Sequence, residues 1–158
     1  MTAGRAALAA LLAGLPLCAG LAADAAPPAA PASAEAEAWA VALELPPRLP
    51  AGAPAVALVR LTARAGHHVN LEYPASFKPA ADATVTFSGA RVALAVREPA
   101  PGAGRPGETC QVALALPFTP GAARPRLAGT VAFSVCSADR CLIERVALSA
   151  GAAGPVAR

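Results

Sequence analysis

Proline and glycine punctuation is the feature that most limits what this chain can fold into. Seventeen prolines and thirteen glycines divide its 158 residues into short apolar runs. Proline lacks a backbone donor and clashes with the preceding helical turn, so it stops helices wherever it falls inside one. Alanine, which is abundant here, favours helix. Nearly every alanine-rich stretch is broken by Pro or Gly, so pattern outranks propensity. Between the breaks the apolar residues recur with a period near two, as in half-buried strands. In the run from Val131 to Cys136, Val131, Phe133 and Val135 share one face. Ala132, Ser134 and Cys136 share the other.

Strands are predicted over residues 39–45, 56–63, 67–70, 83–88, 91–97, 110–118, 126–136 and 141–149. Seven or eight short strands in one domain, with no long amphipathic helix, predict an all-β, immunoglobulin-like β-sandwich. A small barrel or jelly roll is the competing architecture. Trp39 and Phe133 are expected in the core. Residues 98–108 read as a loop, and Asn70 with Tyr73-Pro74 as a turn leaving a strand.

The first residues read as an export signal. Arg5 gives a short basic start, an apolar stretch runs from Ala6 to about Leu21, and small residues follow up to Ala25. That order is the pattern of a secretory signal peptide, cut after Ala22 or Ala25. The apolar stretch falls short of the ~20 residues of a spanning helix, and Gly14, Pro16 and Gly20 interrupt it. Leu17 precedes Cys18 where lipidation favours a small residue. The expected organisation is a signal peptide over residues 1–25, an Ala/Pro-rich flexible leader over 26–38, one domain over 39–150 and a frayed tail over 151–158. The mature chain is expected to be periplasmic or secreted and not to span a membrane. There disulfides persist.

Charge narrows the function classes. The formal net charge is +3, and the cations are scattered arginines with Lys78 as the single lysine. No clustered basic footprint for nucleic acid is present. Phosphate-loop, zinc-protease and nucleophile-elbow motifs are absent. No cofactor motif appears either, and enzymatic activity is left open.

The cysteines carry the sharpest chemical signal. Cys136 ends one predicted strand and Cys141 begins the next, with the polar stretch Ser137-Ala138-Asp139-Arg140 between them. In such a hairpin the two cysteines face each other across the ladder, within reach of a disulfide. The loop so closed is very short, which limits how far the bridge constrains the unfolded chain. Two readings follow: a redox-active pair or a static staple. Arg140 would lower a neighbouring thiol pKa and Asp139 would oppose it. Cys110 is the unpaired third cysteine of the mature chain, read as a small buried hydrophobe, with a resolving thiol or an intermolecular bridge as alternatives. His67 and His68 are adjacent and point to opposite faces of a strand, so they cannot readily share an ion. One of them with Cys136 and Cys141 could make a metal site. The simpler expectation is one packed histidine and one solvated, with no bound metal.

These residues resemble a known family. The segment Gly66-His67-His68-Val69-Asn70, and the hairpin from Phe133 through Cys136 to Cys141, are similar to the N-terminal domain of the thiol:disulfide interchange protein DsbD. The resemblance spans roughly residues 39–149. It implies an immunoglobulin-like fold and a cysteine pair, here Cys136 and Cys141, that takes electrons from a membrane donor and passes them to periplasmic thiol or disulfide proteins. The spacing of this pair is one residue shorter than is usual in that family. No membrane or thioredoxin-like domain is read in the chain. The alternatives from other classes are a non-catalytic, disulfide-stapled immunoglobulin-like envelope or binding module, and a periplasmic metal carrier.

Overall fold

Burial alternates with period two along the strands Trp39–Glu44 and Ala55–Ala63. In the computed structural model, residues 30–49, 52–99, 110–121 and 125–151 are described. They form strands β1 (Ser33–Glu35), β2 (Trp39–Glu44), β3 (Ala55–Ala63), β4 (His68–Val69), β5 (Ser76–Pro79), β6 (Val85–Thr86), β7 (Val92–Ala93), β8 (Ala95–Pro99), β9 (Cys110–Pro120), β10 (Arg126–Cys136) and β11 (Cys141–Gly151). No helix occurs among the described residues. The fold is an all-β, immunoglobulin-like β-sandwich.

One sheet runs β1-β2-β3-β9-β6, with β8 also on β9. The other runs β11-β10-β5-β7, with β4 also on β10. Every pairing is antiparallel. In β3, Ala57, Val59 and Ala63 have no exposure while Val56 is exposed. Its partners in β9, Leu114 opposite Val59 and Val112 opposite Leu61, are equally buried. From the second sheet Val131, Phe133 and Val135 of β10, Phe77 of β5 and Leu148 of β11 close the core. Trp39 meets Phe133 edge-on, with ring centroids 5.2 Å apart, a favoured aromatic geometry. Trp39 and Phe133 are therefore the core residues expected.

Several boundaries differ from expectation. Residues 33–35 fall within the expected flexible leader, yet they pair with β2, Ala34 opposite Val41. Pro31 O accepts from Ser149 N at 2.8 Å, and Ala32 O from Leu43 N at 2.8 Å. The chain there satisfies sheet edges rather than its own propensity. Strand β5 has no signature of alternation. It forms because Phe77 is fully buried and because Gly129 leaves room for it: a Cβ at Gly129 would collide with the Phe77 ring and Lys78 O. The expected strand 91–97 is really two. It changes sheets at buried Leu94, whose N–H donates to Ala75 O. The expected strand 83–88 shrinks to β6. Glu98 and Pro99, expected in a loop, extend β8.

Candidate functional site

The hairpin β10–β11 keeps its register along its whole length, from Arg126 opposite Gly151 to Cys136 opposite Cys141. Four residues, Ser137, Ala138, Asp139 and Arg140, turn the chain. Ser137 N donates to Arg140 O at 2.8 Å, and the Ser137 hydroxyl accepts from Asp139 N and Arg140 N. These bonds hold the strand ends together at the position where the sequence puts its two cysteines. Cys136 and Cys141 form a disulfide, with Cα atoms 3.9 Å apart.

The two cysteines do not share one environment. Cys136 is 4% exposed, whereas Cys141 is exposed. Position explains the difference. β10 lies inside its sheet, with β11 on one side and β4 and β5 on the other. β11 is the outer strand of that sheet. The bridge lies on the face opposite the core, in the row of small side chains Ala128, Thr130, Ala132, Ser134 and Cys136. Ser134 is also buried. Across the ladder from Ser134 stands Ile143, an exposed isoleucine at 54%.

The histidine segment arrives from the other side. Gly66 takes a positive φ of 80° in a turn that His67 N closes on Arg64 O at 2.9 Å, the conformation glycine adopts without steric cost. The turn delivers His68 into β4, directly opposite Cys136. Directly opposed residues of an antiparallel pair share a face. His68, Cys136 and Cys141 therefore form one row across three strands. Neither histidine is packed in the core, contrary to the expectation of one buried and one solvated: His67 is half-buried, its Nδ1 3.3 Å from Ala65 O, and His68 is exposed. Buried Val69 anchors β4 instead. Asn70 Oδ1 accepts from Glu72 N at 3.0 Å, the expected turn out of the strand.

Among the described residues no group of three or more His, Cys, Asp or Glu side chains is arranged to hold a metal ion. Cys110 starts β9 opposite Ala63, in the sheet that does not contain the hairpin; its side chain lies outside the described residues. So do residues 1–29, which include Cys18 and the stretch expected to be an export signal, residues 100–109 and residues 152–158. No helix among the described residues is long and apolar enough to cross a membrane. A surface depression of about 440 Å³, lined by Glu44, Pro46, Val56, Arg60 and Arg97 among others, shares no residue with the hairpin.

The register of the cysteines could be read from sequence. The adjacency of His68 and the unequal burial could not, because both depend on which strands flank β10. Compared with known proteins, the chain matches no family model, no curated protein and no solved structure at a significant level.

Proposed function

We propose that this chain is an exported thiol-disulfide exchange protein, similar to the N-terminal domain of DsbD, whose working pair is Cys136 and Cys141. The observation that carries the reading is the unequal burial of the two bridged residues: an exposed cysteine on an outer strand joined to a buried cysteine on an inner one. A partner thiolate can reach Cys141 and not Cys136. It forms a mixed disulfide on Cys141 and expels the Cys136 thiolate; a second thiolate of the partner then attacks the partner's own sulfur in that mixed disulfide, which leaves the partner oxidised and Cys141 and Cys136 reduced. In the reverse direction the reduced Cys141 attacks a partner disulfide, and Cys136 resolves the mixed disulfide by attacking Cys141, which re-forms the bridge and releases the reduced partner. Electrons enter from a membrane donor and leave to periplasmic thiol or disulfide proteins.

Energetics favour exchange over stapling. The bridged cysteines are only five residues apart, and closing so short a loop stabilises the fold by about 2 kcal/mol in the chain-entropy account, against ~4.7 for a long loop. The core does not depend on it, because both sulfurs lie on the face away from the other sheet.

The test is the reduction potential of the pair. The chain is equilibrated in thiol redox buffers, quenched with an alkylating agent and read by peptide mass. A potential above about −250 mV, among exchangeable disulfides, is expected. A value below about −300 mV marks a structural bridge and removes the exchange reading. Cys136→Ser is expected to trap partners on Cys141 with the fold retained. A staple would lose stability and trap nothing.

A further inference from the structure

The open edge of β11 has a consequence for how a partner reaches Cys141. In an antiparallel ladder, residues alternate between pairs that exchange hydrogen bonds and pairs that do not. Ser137 N bonds to Arg140 O, one step beyond the cysteines. This makes Cys136 and Cys141 a non-hydrogen-bonded pair. Their own backbone groups therefore point away from each other: those of Cys136 toward β4, those of Cys141 out of the sheet. The same holds along β11 for Ile143, Arg145, Ala147 and Ser149. Ser149 demonstrates it, since its N–H bonds outward to Pro31 O. From Cys141 to Ala147 the outward groups make no backbone hydrogen bond among the described residues. Among the described residues this is an unpaired strand edge, a template for another strand.

We propose that this edge takes an extended, cysteine-bearing segment of a partner protein as an added antiparallel strand, in the register that sets the partner cysteine opposite Cys141. The proposal rests on the thiol-exchange reading above. Exchange at a disulfide needs the three sulfurs close to a line. Cys136 lies on the inner side of Cys141, so the line of attack enters from the open edge. A strand added there meets Cys141 as a hydrogen-bonded pair, with Cα atoms about 5.5 Å apart and inside the disulfide range. The partner thiolate forms a bond to Cys141 Sγ, the bond to Cys136 Sγ breaks, and Cys136 leaves as a thiolate that takes a proton from solvent. The reverse step returns the same electron pair.

The edge specifies its occupant. Exposed Ile143 lies two residues from Cys141 on the same face and calls for an apolar residue two before the partner cysteine. Glu144 and exposed Arg145 call for a basic residue three before it and an acidic one four before it. A second copy of this chain fits poorly. Pairing centred on Arg145 or on Glu144 opposes like charges. Pairing centred on Ile143 sets Cys141 against Arg145. Setting Cys141 against its own copy leaves mostly turn residues to pair.

The test uses a peptide, Thr-Val-Asp-Lys-Val-Thr-Cys, carrying its cysteine as the thionitrobenzoate mixed disulfide. It is mixed with the full chain bearing Cys136→Ser. Cys141 attacks the peptide sulfur and releases thionitrobenzoate, and the adduct is located on the tryptic fragment 141–145. The peptide is expected to react at least tenfold faster than the same mixed disulfide of glutathione. N-methylation of the valine two before the cysteine, whose N–H faces β11, is expected to remove that advantage. N-methylation of the threonine one before it, whose N–H faces away, is expected to leave the rate within about twofold. Ile143→Pro in the chain removes an outward donor and the exposed isoleucine side chain but no bond to β10, and should slow the peptide while leaving glutathione unchanged.

Equal rates for the two methylated peptides overturn the docking proposal, as does a peptide no faster than glutathione. Neither result touches the exchange reading so long as glutathione reacts at Cys141. A Cys141 inert to both reagents overturns both. Should Cys136→Ser not fold, the oxidised natural chain with the reduced peptide must give the same ranking of the methylated forms.

Discussion

Cys136 and Cys141 face each other across one ladder yet differ in what solvent can reach. Once the pair is reduced, Cys141 should alkylate at least tenfold faster than Cys136, measured on the tryptic fragments that carry each. Equal rates would show that burial does not distinguish the two sulfurs. Glycine 129 shows the opposite kind of constraint. The backbone of β5 and the Phe77 ring occupy the space of its missing side chain, as expected where a backbone approaches closely. Gly129→Ala should destabilise the fold by about 1–3 kcal/mol or more, read from denaturant unfolding. Glu44 gives a pH signature. Its hydrogen bonds from Arg60 hold its carboxyl below the usual carboxylate range, outweighing burial, and the Arg60 charge adds to the effect. A carboxylate with a lowered folded pKa stabilises fully above its unfolded value of 4.5. That contribution is lost as pH falls through the folded value. Glu44→Gln should flatten the stability profile on the acid side of pH 5. Because both side chains are well exposed, the change should stay below about 1 kcal/mol.

At the scale of elements, short pieces of chain finish edges that the long strands leave open. β1 covers β2, and Pro31 takes the Ser149 donor of β11. Deleting residues 30–35 uncovers two edges together. The shortened chain should be less stable and should self-associate in a concentration-dependent way, followed by light scattering. An unchanged monomer of unchanged stability would mean that β1 is dispensable. Proline placement follows the same logic. Pro117 falls in β9 between the end of the β8 ladder at Ala115 and the start of the β6 ladder at Thr119, where that side lacks a strand to receive a donor. The strands predicted over 126–136 and 141–149 matched β10 and β11 closely, because both are long, the first alternates with period two, and a four-residue turn joins them. β5 and β1 escaped prediction because no periodicity marks them. Their place is set by partners distant in the chain.

For the molecule as a whole, the disulfide and the core are separate structures. The core lies between the sheets, and the bridge lies on an outer face beside β4. Reduction should leave the far-ultraviolet circular dichroism unchanged and lower unfolding stability by about 2 kcal/mol. Loss of cooperative unfolding on reduction would instead make the bridge a structural requirement. Sequence alone determined the strand class, through proline, glycine and period-two alternation. It also placed the hairpin that opposes Cys136 and Cys141 across a four-residue turn. Both are local properties, decided by neighbours within a few residues. Tertiary structure alone decided that β11 is an outer strand and β10 an inner one. That order exposes one cysteine, buries the other and brings His68 beside them. Strand order is a long-range choice. It is made when Phe77 packs under Gly129 and β4 docks on Cys136, contacts that span some fifty to seventy residues of chain and leave no periodic mark along it.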